Sequence, residues 1–380
     1  MEDSANFAWI HGKLCPMSSQ STHTHDPGPA TQAKKQRVTL KHLAEHLDLS
    51  IATVSRALSG SPQADALSSA TRRRVEDAAR ELEYRPNDLA RSLRGKRTFS
   101  IGVLVPEISE GYTAGLMSGV EVVLGDGGYR YLMVSHHSVK RQLDEAIDML
   151  LGRGVEGFVL IAVRLDRTLP VPAVVLSGTG RDDDTTDRVR LDHDRAAELA
   201  IDHLVGLGHR RIAFFRGHSA NVDADDRWRA IEEAARRRGL PIDPKLVSTL
   251  RGGAYGETFT AEGGYREGYT LGQGLLDAGR SFTALFAFND ISAIGAMRAF
   301  QDAGLRVPED VSVMGFDDIQ SAAFHRPSLT TVRQPLRRMG ETATRLLLDR
   351  LANPSDPKPP EHMLLEPQLV IRDSTGQPST

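Results

Sequence analysis

The sequence has almost no cysteine, since Cys15 is the only one among 380 residues. A single cysteine excludes an internal disulfide framework and favours a reducing compartment. No apolar run approaches the ~20 residues that a membrane-spanning helix needs, so we expect no membrane contact. Aromatic residues make up only 6% of the chain, but hydrophobic residues reach 40% and charged residues 26%. This composition is typical of a water-soluble chain with a packed core, and its length predicts two or three domains.

Charge is unevenly distributed along the chain. The formal net charge is −3, yet the segment from Lys34 to Arg97 contains 14 Lys and Arg residues against 8 Asp and Glu residues. That segment therefore carries +6 and the remainder −9. A basic segment in front of a larger acidic body predicts that the first part meets a polyanion while the second has a different task.

Residues 1–36 form a leader rich in Ser, Thr, His, Pro and Gly, without a hydrophobic period. The leader lacks the basic start and apolar core of a secretory signal, so we expect a cytoplasmic protein. Two interpretations stay open: a disordered extension, or a gene start placed too early, since Met17 is a second candidate start. His23 and His25 are expected to be solvated rather than to bind a metal.

Residues 37–84 carry three short helical patterns. Thr39 is a candidate N-cap for the first helix and Ser50 for the second. The third helix is predicted to open at Thr71 and to end before Pro86. Because only about three residues join the first two helices, they are predicted to form a helix-turn-helix.

From residue 98 onward, short β-rich runs alternate with longer amphipathic stretches. The predicted strands are Ile101–Val105, Tyr131–Ser135, Gly157–Ala162, Val174–Leu176, Arg211–Phe215, Ala284–Ala287 and Val311–Gly315. The predicted helices include Leu116–Leu124, Leu143–Leu151, Ala196–Leu207, Trp228–Arg238 and Ser292–Ala303. This alternation predicts doubly wound parallel sheets of the α/β class. Because about 280 residues exceed one such sheet, we expect two lobes with a cleft between them.

The run from Val38 to Leu58 resembles the DNA-binding head of the lactose-repressor/galactose-repressor (LacI/GalR) family of bacterial transcription regulators. The likeness continues through Thr71-Arg72, Arg85-Pro86-Asn87 and Leu89–Gly95, and then through the body almost to Arg372. It implies an all-α helix-turn-helix domain followed by a two-lobed body like that of periplasmic binding proteins. It also implies a ligand-responsive regulator, in the simplest case a repressor, that binds a palindromic double-stranded operator as a homodimer.

The second helix is expected to lie in the major groove of the operator. Arg56 is long enough to bind O6 and N7 of guanine, while Ile51 and Ala52 offer apolar contacts to thymine methyl groups. Hydroxyl groups would bond phosphates and fix position without reading sequence. The expected DNA contacts in this domain are Thr39, Ser50, Ile51, Ala52, Thr53, Ser55 and Arg56. The alternative places Ile51 and Ala52 in the core of the small domain.

Residues 85–97 are expected to form a hinge helix and linker. Pro86 and Asn87 suit a helix start and Gly95 suits an end, but the segment is too short to be a stable helix alone. The resemblance implies that two such segments, one per subunit, fold together in the minor groove, where Leu93 opens a base step. The hinge residues expected to contact DNA are Asn87, Ala90, Leu93 and Arg94. A plain interdomain linker is the alternative.

Polar residues follow several predicted strands at their carboxyl ends, where ligands bind in open α/β folds. The resemblance implies that Arg227, Asn289 and Asp317 hold a small effector, in the simplest case a sugar whose hydroxyls an Arg and an Asp can bond. Tyr112 and Phe259 are candidates to stack on its ring. The alternatives are a surface ion pair for Arg227, a helix cap for Asp317, and core positions for Tyr112 and Phe259.

Two neighbouring carboxylates, Asp290 and Asp318, are predicted to be structural and to cap the helices that follow them. The run Glu110–Thr113 departs from the Asn-Pro-Phe-Phe run common in the family. The segment Ser59–Ser69, between the second and third helices, is longer than usual.

The predicted domains are a leader (1–36), a helix-turn-helix domain (37–84), a hinge (85–97), an effector-binding and dimerisation domain (98–373) and a tail (374–380). Within the body, the first lobe is expected to comprise about 98–192 and 329–356, and the second about 193–328 and 357–373. No leucine heptads follow Arg372, so we expect a dimer without the tetramerising tail of the lactose repressor itself.

Two other function classes remain as alternatives: an α/β enzyme fused to a helical domain, and a sugar-binding receptor. The chain has no Walker loop, no G-x-G-x-x-G after the first strand and no G-x-S-x-G elbow. His42 and His46 fit the H-x-x-E-H pattern of zinc proteases, but no third ligand is evident. We therefore expect a regulator and not an enzyme, with no cofactor and no metal site.

Overall fold

The fold is described from a computed structural model. It describes residues 38–58, 67–84, 97–108, 111–178, 186–218, 222–251, 261–279, 281–354 and 358–379. The chain divides into two compact units, residues 1–87 and residues 88–380. The predicted leader lies outside the described residues.

The described part of the first unit contains three helices, α1 (Leu40–Leu47), α2 (Ile51–Leu58) and α3 (Ser69–Glu81). Each helix contributes one fully buried branched residue to a shared core: Leu43, Val54 and Val75. The helices are too short to be stable alone, so this apolar core is what holds them. The three predicted helical patterns are confirmed.

The helix ends follow ordinary capping chemistry. The Thr39 hydroxyl accepts a hydrogen bond from the backbone N–H of His42, as predicted for an N-cap. Asp48 ends α1 in the left-handed region with φ of 51°, which turns the chain toward α2. The predicted start of α3 at Thr71 is wrong, because Ser68 is the N-cap and its side chain accepts from the Thr71 N–H. Ser68 and Thr71 are both hydroxyl residues that can cap a helix, and it is Ser68 that caps α3.

The second unit alternates strands and helices along its described length. Its first part contains β1 (Ser100–Val105), α4 (Tyr112–Asp126), β2 (Arg130–Ser135), α5 (Lys140–Gly152), β3 (Gly157–Ile161), β4 (Ala173–Leu176), β5 (Asp187–Leu191) and α6 (His193–Gly206). Next come β6 (Ile212–Arg216), α7 (Val222–Arg237), β7 (Val247–Thr249), α8 (Ala261–Asp277), β8 (Ala284–Phe286) and α9 (Asp290–Asp302). The last part contains β9 (Ser312–Asp317), α10 (Gln320–Phe324), β10 (Thr330–Arg333), α11 (Leu336–Ala352), β11 (His362–Leu365) and β12 (Gln368–Val370).

Twelve described strands form two six-stranded sheets, one in each lobe. The order in the first is β11-β5-β4-β3-β1-β2, and in the second it is β12-β10-β9-β8-β6-β7. Among the described strands, every pairing is parallel except that of β10 with β12, which is antiparallel. The predicted pair of doubly wound parallel sheets is therefore confirmed. In the described part of the chain, no helix is both long enough and apolar enough to cross a membrane.

Two lobe boundaries differ from the prediction. β10 pairs with β9 in the second sheet, although residues 329–356 were assigned to the first lobe. β11 pairs with β5 in the first sheet, although residues 357–373 were assigned to the second. The chain thus crosses between the lobes after β5, after β10 and after β11. Seven of the twelve described strands were predicted, and β5, β7, β10, β11 and β12 were not. The sequence therefore could not indicate which sheet β10 and β11 join.

The predicted tail is part of the second lobe. Ser374 is fully buried, accepts a hydrogen bond from the Thr330 N–H (2.8 Å) and donates one to the Val313 carbonyl (2.6 Å). The Gly376 carbonyl lies 2.9 Å from Nε2 of the buried His209. Residues 374–380 were predicted to be a tail outside the effector-binding domain, whereas Ser374 and Gly376 are hydrogen-bonded within the second lobe.

Candidate functional site

The hydroxyl residues at the start of helix α2 form hydrogen bonds within the helix. The Ser50 hydroxyl accepts a hydrogen bond from the Thr53 N–H (3.1 Å) and lies 2.9 Å from the Thr53 hydroxyl. Ser50 therefore caps α2, as predicted, and it remains exposed at the end of the helix. Exposed N–H groups and hydroxyls at a helix N-terminus suit a phosphate.

The two faces of α2 are chemically distinct. Val54 and Ala57 point into the core, at 0% and 5% exposure. Ile51 is 47% exposed, and Ala52 and Arg56 are also exposed. The alternative that Ile51 and Ala52 form the core is therefore wrong. An exposed isoleucine, alanine and arginine on a capped helix are suited to contact with base edges.

The two histidines of α1, His42 and His46, have different surroundings. The backbone N–H of Thr39 donates to Nδ1 of His42 at 3.4 Å, which closes a capping box with the Thr39 hydroxyl. His46 is exposed on the same helix. Among the described residues, no group of three His, Cys, Asp or Glu side chains is placed to hold a metal ion.

Four predicted hinge contacts cannot be placed on this surface. Asn87, Ala90, Leu93 and Arg94 lie outside the described residues. Thr39 and Ser50 are exposed, whereas Thr53 and Ser55 are half-buried. All seven predicted contacts of the helix-turn-helix therefore lie on or beside its outer surface.

In the second unit, Arg227 lies at the centre of a buried polar cluster. It is 5% exposed, and its guanidinium carbon lies 3.7 Å from the Phe316 ring centroid and 4.4 Å from that of Phe288. Nη1 donates to the Phe288 carbonyl at 2.6 Å, while the buried Nε has no hydrogen-bond partner in the described part of the chain. A surface ion pair is excluded by this burial. An unsatisfied donor on a buried cation is costly unless a ligand meets it.

Asp317 ends β9 beside this arginine. Its Oδ1 accepts a hydrogen bond from the Gln334 side chain (2.6 Å), and burial raises its pKa to about 6, against the opposing effects of Arg227 and Gln334. Its φ of 113° is a conformation that non-glycine residues rarely adopt, and such strain clusters at binding sites. The alternative role as a helix cap is wrong, because Ile319 is the N-cap of α10 and no side chain caps it.

Asp223 also belongs to the cluster, although sequence analysis did not select it. It lies in the first turn of α7, four residues before Arg227 and so on the same face of the helix. Burial raises its pKa to about 6, while Arg227 opposes the shift. The spacing Asp-x-x-x-Arg in the sequence was the available signal. It was missed because Val222–Arg237 contains several other acidic residues.

Tyr112 and Ser177 bring the first lobe to the cluster. Tyr112 opens α4, and burial raises its pKa, with further contributions from Asp223 and Asp317. Ser177 follows β4 and is 1% exposed, and its buried hydroxyl has no hydrogen-bond partner among the described residues. Residues from both lobes thus meet at the carboxyl ends of their strands, where an α/β fold binds ligands.

Asn289 lies at the edge of the cluster with its side-chain oxygen in use. Oδ1 accepts from the Ser292 N–H (2.9 Å) and from the Ser292 hydroxyl (2.7 Å), so the side chain caps α9. Its amide nitrogen is the group that a ligand could use, since the cap occupies only the oxygen. Its neighbour Phe288 bonds Arg227 directly. Phe259 lies outside the described residues.

Asp290 and Asp318, the two carboxylates predicted to cap helices, instead bond residues elsewhere in the second unit. Asp290 is fully buried and accepts from the Ile319 N–H (2.9 Å) and the Thr331 hydroxyl (2.6 Å). Asp318 pairs with Arg333 and Arg372, each at 2.6 Å. The capping prediction is therefore wrong for both residues. Asn289 takes the cap of α9, and the aspartates connect segments that are distant in sequence, including strand β10.

His193 is a second buried group that the sequence did not single out. Its ring centroid lies 6.4 Å from that of Phe316, and its Nδ1 is buried without a hydrogen-bond partner among the described residues. Burial, together with the positive charges of Arg227, Arg190 and Arg229, lowers its pKa well below the ordinary value. The imidazole is therefore neutral at pH 7 and adds no charge to the cluster.

Comparison with known protein families gives two matches, one in each of the two compact units. Residues 39–87 match the bacterial regulatory proteins of the lacI family, and residues 201–375 match a periplasmic binding protein-like domain.

Among curated proteins, the chain is similar to the HTH-type transcriptional repressor CytR of Escherichia coli K12. The two are 33% identical over 357 residues, which cover 90% of this chain and 98% of CytR. Among solved structures, it resembles the Lac repressor dimer bound to operator and the anti-inducer ONPF, at 28% identity and a TM-score of 0.75, covering 90% of this chain and 100% of the other. It also resembles the complex of the transcriptional regulator CelR with cellobiose, at 31% identity and a TM-score of 0.64, covering 89% and 100%.

Proposed function

From the premise that the chain belongs to the lacI family of bacterial regulatory proteins, we propose that it is an effector-controlled transcriptional repressor. It binds a palindromic operator as a homodimer, and a small molecule, in the simplest case a sugar, sets its affinity for DNA. The observation that carries this proposal is the outer face of α2. There Ile51 in the first turn and Arg56 in the last turn stay exposed on a helix that Ser50 caps, and the core uses neither of them.

DNA recognition follows from that face. The N-terminal turn of α2 enters the major groove, where Arg56 bonds a guanine and Ile51 and Ala52 contact thymine methyl groups. The hydroxyls of Thr39, Ser50, Thr53 and Ser55 bond phosphates. In the hinge, Asn87, Ala90, Leu93 and Arg94 follow the minor groove, with Leu93 as the wedge.

The effector binds in the cleft of the second unit. Arg227 and Asp317 hold it, Asn289 contributes its amide, and Tyr112 and Phe259 lie against its ring. Support for a sugar comes from the similar regulator CelR, whose solved complex contains cellobiose. Hydroxyl groups suit a site that combines a guanidinium with carboxylates, because each hydroxyl both donates and accepts.

Control of DNA affinity uses the hinge. A short helix that orders only on DNA is marginal, so a small change in the geometry of the dimer can favour or oppose it. A ligand that closes the lobes needs a coupling of only ~1–3 kcal/mol to change operator affinity by ~5–150-fold. The regulator acts in the cytoplasm, where it meets DNA.

A selection of duplexes from a random pool tests the DNA-binding proposal, followed by a gel shift with the enriched sequence. Enrichment of a palindrome is the expected result, and Arg56→Ala should weaken binding by ~1–3 kcal/mol and relax the preference at one position. Arg73→Ala, an exposed arginine of α3, is the matched control and should affect all sequences alike. A chain that binds no duplex at low salt, with or without candidate metabolites, would be an enzyme or a receptor instead.

A further inference from the structure

We propose that Glu156 is a positioning residue for DNA binding. Its carboxylate fixes the end of the hinge to the first lobe and so sets the direction in which the hinge leaves that lobe. This inference rests on the proposed function, since it takes residues 85–97 to be the hinge that orders on the operator. It goes further in naming the contact through which the lobe controls the hinge.

Three consecutive residues converge on the Glu156 carboxylate. Oε1 accepts hydrogen bonds from the backbone N–H groups of Thr98 (2.5 Å) and Phe99 (2.8 Å). Oε2 accepts from Nε and Nη2 of Arg97, at 3.1 and 3.0 Å. A single exposed ion pair contributes little, but here four N–H groups share one carboxylate whose side chain is only 14% exposed. We call these four residues the hinge clamp.

Two aromatic rings also hold this stretch of chain. The guanidinium carbon of Arg97 lies 4.6 Å from the ring centroid of Phe99 and 5.8 Å from that of Tyr129, and Nη2 also donates to the Tyr129 hydroxyl. Phe99 has a φ of 49°, a left-handed conformation that a non-glycine residue keeps only where its surroundings hold it. Its N–H is bonded to Glu156, and its carbonyl accepts from the N–H of Arg130 at 2.8 Å. The clamp therefore presents the chain to the hinge in one fixed conformation.

The hinge clamp lies at the edge of the first sheet opposite the cleft. Glu156 directly precedes β3 and Phe99 directly precedes β1, and these two strands are parallel neighbours. The clamp is therefore at their amino ends, whereas the candidate effector groups lie at carboxyl ends, and the six residues of β1 span about 20 Å between the two. Because Arg97 is the last residue of the predicted hinge, a rotation of the first lobe carries the hinge with it only while the clamp holds. A substitution in the clamp should thus change DNA binding without touching the effector site.

The test uses two full-length variants that break the same ion pair but change the charge in opposite directions. Glu156→Gln removes a negative charge, and Arg97→Gln removes a positive one. Gel shifts without effector compare the palindromic duplex enriched in the selection with a scrambled duplex of the same composition. Both variants should bind the palindrome ~10-fold more weakly than the wild type does, because both release the end of the hinge. The double variant should bind no more weakly than the weaker single variant, since one contact is lost in every case.

The scrambled duplex reports the effect of charge alone. Its affinity should rise slightly in Glu156→Gln and fall slightly in Arg97→Gln, because non-specific binding follows the number of phosphates that the protein neutralises. Loss of discrimination between the two duplexes in both variants is a result that charge cannot produce.

Asp187→Asn is the matched control for a loss of stability. In the same lobe, the Asp187 carboxylate likewise accepts from two nitrogens of one arginine, Arg350 (2.9 and 2.8 Å), and from one backbone N–H, that of Glu361 (2.8 Å). Asp187→Asn should lower the melting temperature at least as much as Glu156→Gln does, yet leave the affinity for the palindrome unchanged.

Hydrogen exchange tests the hinge clamp without DNA. In peptides that span residues 97–105, the amides of Thr98 and Phe99 should exchange faster in Glu156→Ala than in the wild type, because the carboxylate that accepts from them is gone.

The proposal is overturned if Glu156→Gln binds the palindrome as tightly as the wild type or more tightly. Tighter binding together with weaker binding by Arg97→Gln would show that Arg97 contacts DNA itself. Equal weakening by Asp187→Asn would reduce the role of Glu156 to the stability of the lobe, and unchanged amide exchange in Glu156→Ala would overturn the clamp alone. A selection that enriches no duplex would overturn the proposed function, and this inference with it.

Discussion

Arg227 and Phe316 are in direct contact, with 3.7 Å between the guanidinium carbon and the ring centroid. The ring belongs to the strand that ends in Asp317, and the arginine to the helix that begins beside Asp223. A guanidinium over an aromatic face gains a cation–π attraction. This attraction is stronger when the pair is buried, and a guanidinium is weakly hydrated, so its burial costs less than that of an ammonium group. Phe316 therefore helps to hold the buried cation of the described cluster next to Asp317.

Arg227→Ala should abolish the response to effector while sparing operator binding. The change removes the cation that neutralises Asp223 and Asp317, and with it the proposed bonds to the ligand. In a gel shift, the variant should bind the operator equally well with and without effector. The operator affinity of the wild type should change by ~5- to 150-fold. Arg229→Ala, an exposed neighbour on the same helix, is the control. If Arg227→Ala still responds normally, the cleft assignment is wrong.

Leu93→Ala should weaken binding to the specific operator and leave effector affinity nearly intact. Prying open a base step costs a few kcal/mol, and only a bulky apolar side chain can keep the opened step filled. We expect ~10- to 100-fold weaker operator binding in a gel shift and an unchanged calorimetric titration with effector. Leu93→Met keeps the bulk and should retain most of the affinity. Equal operator affinity for Leu93→Ala would count against the wedge.

Ile51→Ala and Val54→Ala should have different consequences, because Ile51 is exposed at the start of α2 whereas Val54 is buried in the core. Val54 is fully buried, so its truncation should cost the first unit ~1–2 kcal/mol of stability. Ile51 is 47% exposed, so its truncation should leave stability within ~0.5 kcal/mol while weakening operator binding. Hydrogen exchange of the α1–α3 amides in the full chain measures the first effect, and a gel shift the second. Loss of amide protection in Ile51→Ala would show that this residue belongs to the core.

Asp223→Asn should make the protein more stable at neutral pH. Burial raises the pKa of Asp223 from 3.8 to about 6, so between pH 4 and pH 6 the folded state holds a proton that the unfolded chain has lost. The free energy of unfolding therefore falls as pH rises through this window, and the penalty remains in full above pH 6. The variant lacks this penalty and should gain about 1–2 kcal/mol at pH 7.5, but nothing at pH 4.

Thermal melts at both pH values, with Asp225→Asn as the control, measure this difference. A less stable Asp223→Asn at pH 7.5 would mean that the folded state favours the charged carboxylate. It would also remove the basis for a strained, negatively charged cleft.

Some features of this protein could be read from local patterns. The hydroxyls of Thr39 and Ser50 act on backbone groups three residues away, so their capping roles were visible in the sequence. The amphipathic spacing in α2 predicted that Val54 faces inward. Arg227 and Asp317 were selected as cleft residues by resemblance, and the structure places them together.

Other features depended on which distant segments meet. Asp290 looks like a helix cap, but it bonds Ile319 and Thr331, and a Cβ at Gly315 would lie 2.1 Å from its Oδ1. Asp223 is one acid among several in α7 until folding brings Ser177 and Arg227 against it.

By itself, the sequence determined the caps of α1 and α2, the apolar spacing and the alternation of helices with seven of the twelve described strands, because these depend on contacts within a few residues. It also determined the family, through motifs spread over most of its length. Only the tertiary structure decided which sheet takes each crossing strand, which carboxylates are buried and how many negative charges surround Arg227. Those properties depend on desolvation and on hydrogen bonds between segments that are far apart in the chain, and no local pattern encodes them.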